Sequence, residues 1–338
     1  MTIKPLLQVK NLKTSFFTDD GEVPAVEDIS FNVYPGEIVG IVGESGSGKS
    51  VTSLSIMGLL PNPPGKVTGG EIYLNGKNIL QFNEKQMRRV RGNELAMIFQ
   101  EPMTSLNPLF TIGNQLMEAV LIHNKWPKKK AYDRAVEMLR LVGLPRHEEL
   151  MNAYPHELSG GMRQRVMIAM ALICNPKVLI ADEPTTALDV TIQAQILQLI
   201  KEINEKLKTA VLLITHDLGV VAEVCERVIV MYAGKIVEEG DVHTIFQNPQ
   251  HPYTKGLLQS IPDIRKKEKR LYSIPGTVPK PGSVKKGCRF YSRCNVRMPR
   301  CLHDQPPYYT TEENHKVRCW LVEKEGEERE QSTITTSQ

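Results

Sequence analysis

Gly43-Glu-Ser-Gly-Ser-Gly48-Lys49-Ser50 is the stretch on which the reading of this chain turns. It follows the apolar run 38–42 and precedes a helical pattern over 51–58. A Gly-x4-Gly-Lys-Ser run between a strand and a helix is the arrangement that cradles phosphate. Glycines let successive backbone N–H groups curl around phosphate oxygens, and the helix start adds the positive end of its dipole. Within the loop, Gly43, Ser45, Gly46, Gly48 and Val51 would line the phosphates. Lys49 would reach the β and γ phosphates of a nucleotide, and Ser50 would ligate Mg2+. The plainer alternative is a Gly-rich turn with a solvated lysine, and the strand before it and helix after it weigh against that.

Downstream, Lys177-Val-Leu-Ile-Ala-Asp182-Glu183 reads as an apolar strand ending in two carboxylates, at the sheet edge where such folds bind ligands. Asp182 would hold the Mg2+ shell through water, and Glu183 would polarise an attacking water as general base. Two adjacent carboxylates before Pro184 are also what an ordinary exposed turn looks like; the phosphate loop upstream shifts the weight to chemistry.

The rest of the chain fits an α/β class. Of 338 residues, 41% are apolar and 24% charged, and the net charge of +4 is too small an excess to argue for a nucleic-acid partner. The length suggests two or three folding units. The longest purely apolar run, 166–174, falls far short of the roughly 20 residues a spanning helix needs. No secretory signal pattern is visible in residues 1–10. Short β-branched runs at 37–42, 178–181 and 211–214 read as strands buried on both faces of a parallel sheet. Residues 7–17, 26–33 and 70–74 alternate instead and suggest a smaller antiparallel sheet. Between 101 and 160 the pattern is helical, with amphipathic stretches at 115–122 and 129–142. After 244 prolines accumulate, a basic run spans 265–270, and four of the six cysteines fall at 288, 294, 301 and 319. Residues 323–338 are charged and then Ser/Thr-rich, the composition of a disordered tail.

Leu158-Ser159-Gly160-Gly161-Met162-Arg163-Gln164-Arg165 opens an apolar helix shortly before the acidic strand. The order of phosphate loop, Gln100, this LSGGMRQR run, acidic strand, Ala187-Leu188-Asp189 and Thr215-His216-Asp217 resembles the nucleotide-binding subunit of an ATP-binding-cassette transporter, over about residues 5–245. The resemblance implies a P-loop core with an antiparallel β subdomain and a helical subdomain. It makes Gln100 the hinge residue that senses Mg2+ and water, His216 the contact to the γ phosphate, and Asp189 a packing residue across a cassette dimer. It gives Ser159, Gly160 and Gly161 the ATP site of the opposite subunit, and it sets Phe16 against adenine, with Phe17 as the neighbouring candidate. Two cassettes would close head to tail on ATP and reopen on hydrolysis. A segment at 101–108 would receive a helix from two membrane permease subunits, which this chain must borrow.

Asn248-Pro-Gln-His-Pro-Tyr-Thr-Lys-Gly-Leu-Leu258 and Ile274-Pro-Gly-Thr-Val-Pro279 resemble the region that follows the cassette in oligopeptide and dipeptide importers. The expected organisation is therefore a cassette over 1–245, a small Cys-rich C-terminal unit over 246–322 and a tail. The C-x5-C-x6-C-x17-C spacing is not the C-x2-C pattern of zinc fingers, yet four thiols in so short a span look like a metal-binding set. In the resembled family the matching cysteines carry a [4Fe-4S] cluster, which four thiolates can ligate; structural zinc and unligated thiols stay open as alternatives. Cys174 and Cys225 read as plain structural residues. The basic run is either a contact to anionic lipid or a solvated linker.

The resemblance implies ATP hydrolysis that powers peptide import from the cytoplasmic face of the membrane. It implies a second, related cassette chain and an extracytoplasmic peptide-binding protein as partners. An importer of nickel or another small solute, or a soluble cassette protein of translation or DNA repair, are the competing readings.

Overall fold

The computed structural model describes residues 4–100, 105–185, 189–261, 272–311 and 315–323. Residues 101–104 of the expected permease-contact segment, Ala187-Leu188, the basic run and the tail from 324 lie outside them.

The main sheet has eight strands in the order β11-β12-β10-β9-β3-β8-β7-β6. They are β3 (Ile38–Val42), β6 (Leu95–Ile98), β7 (Val178–Asp182), β8 (Ala210–Thr215), β9 (Arg227–Tyr232), β10 (Lys235–Asp241), β11 (Tyr309–Thr310) and β12 (Lys316–Val317). The five strands from β9 to β6 are parallel, and β10, β12 and β11 continue the sheet antiparallel. Every residue of β3, β7 and β8 is buried, as expected for strands covered on both faces. Alternation sorts their side chains: Leu179, Ala181, Val211 and Leu213 face the helical side, while Val178, Ile180, Leu212 and Ile214 face the antiparallel sheet.

That second sheet runs β2-β1-β4-β5, from β1 (Leu7–Thr18), β2 (Gly21–Val33), β4 (Gly65–Leu74) and β5 (Lys77–Asn78). Leu7, Val9, Ile29, Val33 and Ile72 close the core over the phosphate-loop helix, Lys49–Met57. The β4 strand begins five residues earlier than the alternation at 70–74 indicates, because Lys66 and Gly69 pair with β1 while pointing little apolar surface inward. On the other side of the main sheet, helices Ile112–Asn124, Lys128–Leu141 and Gly160–Leu172 pack together through Leu116, Leu139, Val166 and Ile168.

Described residues beyond 245 share a core with the cassette. Tyr253 and Phe290 are buried against Tyr232 and Val42, with the Tyr232 and Phe290 rings edge to face at 5.2 Å between centroids. β12 pairs with β10 and so covers an edge that would otherwise present unpaired N–H and C=O groups. Among the described residues no helix is long and apolar enough to cross a membrane.

Candidate active site

The phosphate loop takes its shape from three glycines in left-handed backbone. Gly43 has φ 155°, Gly46 φ 79° and Gly48 φ 101°. A Cβ on Gly43 would lie 2.2 Å from Met231 O, and one on Gly48 2.9 Å from Ala25 O. Only glycine fits both the angle and the space. Gly48 caps the helix, so its first N–H groups open towards the loop. Lys49 is folded over the loop: its Nζ donates to Gly43 O at 2.7 Å and to Glu44 O at 3.2 Å. Burial lowers its pKa, against the opposing pull of Glu183, Asp182 and Glu44.

The acidic strand meets the loop from the neighbouring side of the sheet. Ser50 Oγ donates to Asp182 Oδ1 and Ser53 Oγ to Asp182 Oδ2, both at 3.2 Å. Asp182 is only 4% exposed. Desolvation raises its pKa although both serines favour the charged form. A buried carboxylate and a hydroxyl are oxygen donors of the kind that could hold Mg2+.

Glu183 follows in left-handed backbone, φ 47°, with its N–H bonded to Ile214 O at 2.9 Å. Its carboxylate lies between two partners. Gln100 Nε2 donates to Oε2 at 3.0 Å, and His216 Nδ1 lies 3.3 Å from Oε1. Gln100, Asp182, Glu183 and His216 thus come to one place from the ends of β6, β7 and β8.

Ser159, Gly160 and Gly161 stand apart from that group. Ser159 caps helix Gly160–Leu172, accepting from Met162 N at 3.3 Å. Gly160 has open space around its Cα, and Gly161 sits against Ile192, where a Cβ would be 3.2 Å from Cγ2. Asp189 caps helix Val190–Leu207 and accepts from Ile192 N at 2.9 Å. Phe16 is half-buried against Gly65, and Phe17 is 47% exposed. Phe16 shares a strand face with Thr14, whose hydroxyl pairs with Ser55 of the phosphate-loop helix at 2.9 Å.

Three contributors escaped the sequence reading. Ser53 lies one helical turn from Ser50, and that i, i+3 spacing is a signal that could have found it. Gln164, buried inside the LSGGMRQR run, donates from Nε2 to Pro184 O and ties that helix to the acidic turn. Glu44 is held from the far end of the chain by Tyr253 and Arg293, a contact no local pattern announces.

Cys288, Cys294, Cys301 and Cys319 all line one apolar cavity, together with Phe290 and Trp320. All are free thiols. Burial pushes the Cys288 thiol up to about 11 and Cys319 up to about 12. Among the described residues no group of three or more His, Cys, Asp or Glu is drawn close enough to hold a single metal ion. Cys225 lies elsewhere, half-buried against Gly40, with its thiol pushed up to about 12; Cys174 is likewise shifted upward by burial.

The fold and this site define a nucleotide-hydrolysing cassette. The ABC transporter family profile matches residues 26–186, and the profile of the oligopeptide/dipeptide transporter C-terminal region matches 237–301. The chain is 55% identical over 324 residues to the oligopeptide transport ATP-binding protein AppD of Bacillus subtilis (strain 168), covering 96% of this chain and 99% of that one. It is 54% identical to the dipeptide transport ATP-binding protein DppD of the same organism, covering 96% and 97%. Among solved structures, the cassette MJ0796, as a dimer in a post-hydrolysis state bound to ADP and Pi, superposes with a TM-score of 0.63. That match has 30% identity and covers 70% of this chain and 98% of that one. The chain belongs to the ABC transporter family, as an ATP-binding subunit whose ATP hydrolysis is coupled to transport.

Proposed function

We propose that this chain hydrolyses ATP to power import of di- or oligopeptides through partner membrane subunits. The observation that carries the chemistry is the convergence of Gln100 and His216 on the Glu183 carboxylate, beside the Ser50–Asp182 pair. Glu183 accepts the proton of the attacking water. Gln100 and His216 fix the direction in which that carboxylate points, and Lys49 neutralises charge on the phosphates. Ser50, Asp182 and Gln100 would hold Mg2+, and the ion, when bound, would offset charge on the β and γ phosphates. Phe16 stacks on adenine, a role supported by its place on the strand face that meets the phosphate-loop helix.

Ser159 and Gly160 are exposed at the start of their helix, and that exposure supports their serving, with Gly161, the ATP of a facing cassette. Asp189 lies on that same surface. The partners are two permease subunits, a second, related ABC ATPase chain and an extracytoplasmic peptide-binding protein, and the chain works at the cytoplasmic face of the membrane. The match to the oligopeptide/dipeptide C-terminal region favours peptides over nickel or other small solutes.

The Cys-rich segment carries a [4Fe-4S] cluster in this reading. Four free cysteines on one cavity wall support it. The test of the whole reading is anaerobic co-purification from native membranes, followed by ATPase assay with peptide-loaded binding protein. Hydrolysis stimulated by peptide but not by nickel chelates is expected; stimulation by the chelates alone would overturn the peptide assignment.

A further inference from the structure

Glu44 is an acid inside a loop built to bind anions, where an uncompensated carboxylate would repel phosphate. Arg293 compensates it. The guanidinium donates from Nη1 to Glu44 Oε2 at 2.6 Å and from Nη2 to Oε1 at 3.1 Å, a bidentate pair. The Arg293 side chain is 3% exposed. Its remaining donors go to Pro275 O at 2.9 Å, Ile274 O at 3.2 Å and the Tyr232 hydroxyl at 3.5 Å, and the guanidinium lies 5.8 Å from the Tyr232 ring centroid. Arg293 therefore cannot swing away without leaving a buried charge unpaired.

Two more ties reach the same loop. Glu44 N–H donates to the Tyr253 hydroxyl at 2.9 Å, and Gly234 N–H donates to Ser47 O at 2.8 Å. The loop's glycines give it conformational freedom, so its shape must be imposed from outside. Tyr253 and Arg293 supply that from beyond the cassette motifs, and Arg293 is the neighbour of Cys294.

We propose that Arg293, together with Tyr253, is a positioning residue for the phosphate loop, so that the C-terminal segment completes the nucleotide site of its own chain and sets its affinity for ATP. The inference rests on the reading of that loop as the ATP site. Preorganising the loop lowers the ordering cost of binding, and the coupling is reciprocal: ATP must in turn steady the segment around Arg293.

The test is equilibrium binding of a fluorescent ATP analogue to the full chain, with steady-state ATPase beside it. Arg293→Met is expected to weaken binding about tenfold, and Arg293→Lys and Tyr253→Phe about threefold each, with KM rising alike and kcat per binding site kept. Tyr253→Phe removes one hydroxyl and keeps the packed ring, so it reports even if Arg293→Met does not fold. A merely structural role would lower the fraction of active protein and leave the affinity of the remainder alone. In wild type, ATP is expected to slow amide exchange over residues 289–294, and Arg293→Lys to abolish that slowing. Unchanged affinity in both Arg293→Lys and Tyr253→Phe would overturn the inference while leaving the ATP site standing. A wild-type chain that does not bind the analogue would overturn the ATP reading itself.

Discussion

Ser50 and Asp182 are joined by a 3.2 Å hydrogen bond although 132 residues separate them. The bond ties the first turn of the phosphate-loop helix to the end of β7. Asp182 is buried and its pKa is raised by desolvation, so its charged form opposes folding at neutral pH. The sign follows from linkage: the folded state holds its proton to higher pH than the unfolded one, and stability falls as pH rises through that interval. Asp182→Asn keeps the shape and can still pair with both serines. It is expected to raise the melting temperature by roughly 2 °C while cutting Mg2+-dependent hydrolysis about 100-fold. Differential scanning fluorimetry and an Mg2+ titration of ATPase activity check both parts; a lowered melting temperature would contradict the burial argument.

Glu183→Gln separates binding from chemistry. A glutamine there retains an acceptor for Gln100 and the same left-handed turn, yet it cannot take a proton. Nucleotide affinity is expected to stay within about twofold, and turnover to fall by a factor on the order of 1,000. ATP-dependent dimerisation, read by light scattering, should become stable. Residual turnover above about a tenth of wild type would remove Glu183 from the general-base role.

The gathering of the candidate site residues was legible in the sequence because its geometry is local. Strand, turn and helix around Lys49, and strand and turn around Asp182, each place their side chains within a few residues of a recognisable run. The long antiparallel sheet was only half legible. Lys66, Gly69 and Glu22 join β-ladders whose register is set by partners, not by their own alternation. The Arg293–Glu44 clamp was invisible for a different reason: its members are 249 positions apart, and an arginine beside a cysteine looks like any other basic residue. Nor did proline-rich, basic sequence after 244 advertise a shared core, since the partners of Tyr253 and Phe290, Tyr232 and Val42, belong to the cassette.

Cys294→Ser tests the cluster. Burial raises the pKa of the Cys288, Cys294 and Cys319 thiols, so thiolates that would ligate iron exist there only if iron's positive charge offsets the burial cost. Protein purified anaerobically is expected to contain about four irons and four sulfides per chain, and Cys294→Ser to lose most of both along with thermal stability. Cys225→Ser, which alters a thiol outside the cavity, should keep full iron content. A Cys294→Ser chain with wild-type iron would sink the cluster, and stoichiometric zinc in the wild type would replace it.

His251 makes the junction between cassette and C-terminal segment acid-sensitive. It is buried, its Nδ1 accepts from Tyr253 N–H at 3.1 Å, and its own N–H donates to Glu238 Oε2 at 3.1 Å. Burial lowers its pKa to about 4, with Glu238 opposing the shift and Lys255 adding to it. Above about pH 6.5 the ring is neutral in both folded and unfolded chain and contributes no pH dependence. Below that, the unfolded chain takes up a proton the folded one refuses, so stability is lost as pH falls from about 6.5 towards 4, at up to about 1.4 kcal/mol per pH unit. His251→Asn offers Tyr253 N–H an oxygen acceptor and does not titrate. Urea denaturation between pH 7 and 4.5 should therefore give a flatter stability profile for the variant than for wild type, even if the variant is the less stable of the two at pH 7. Parallel profiles would show that the acid sensitivity of the fold arises from other groups, and that His251 is already as easily protonated in the folded chain as in the unfolded one.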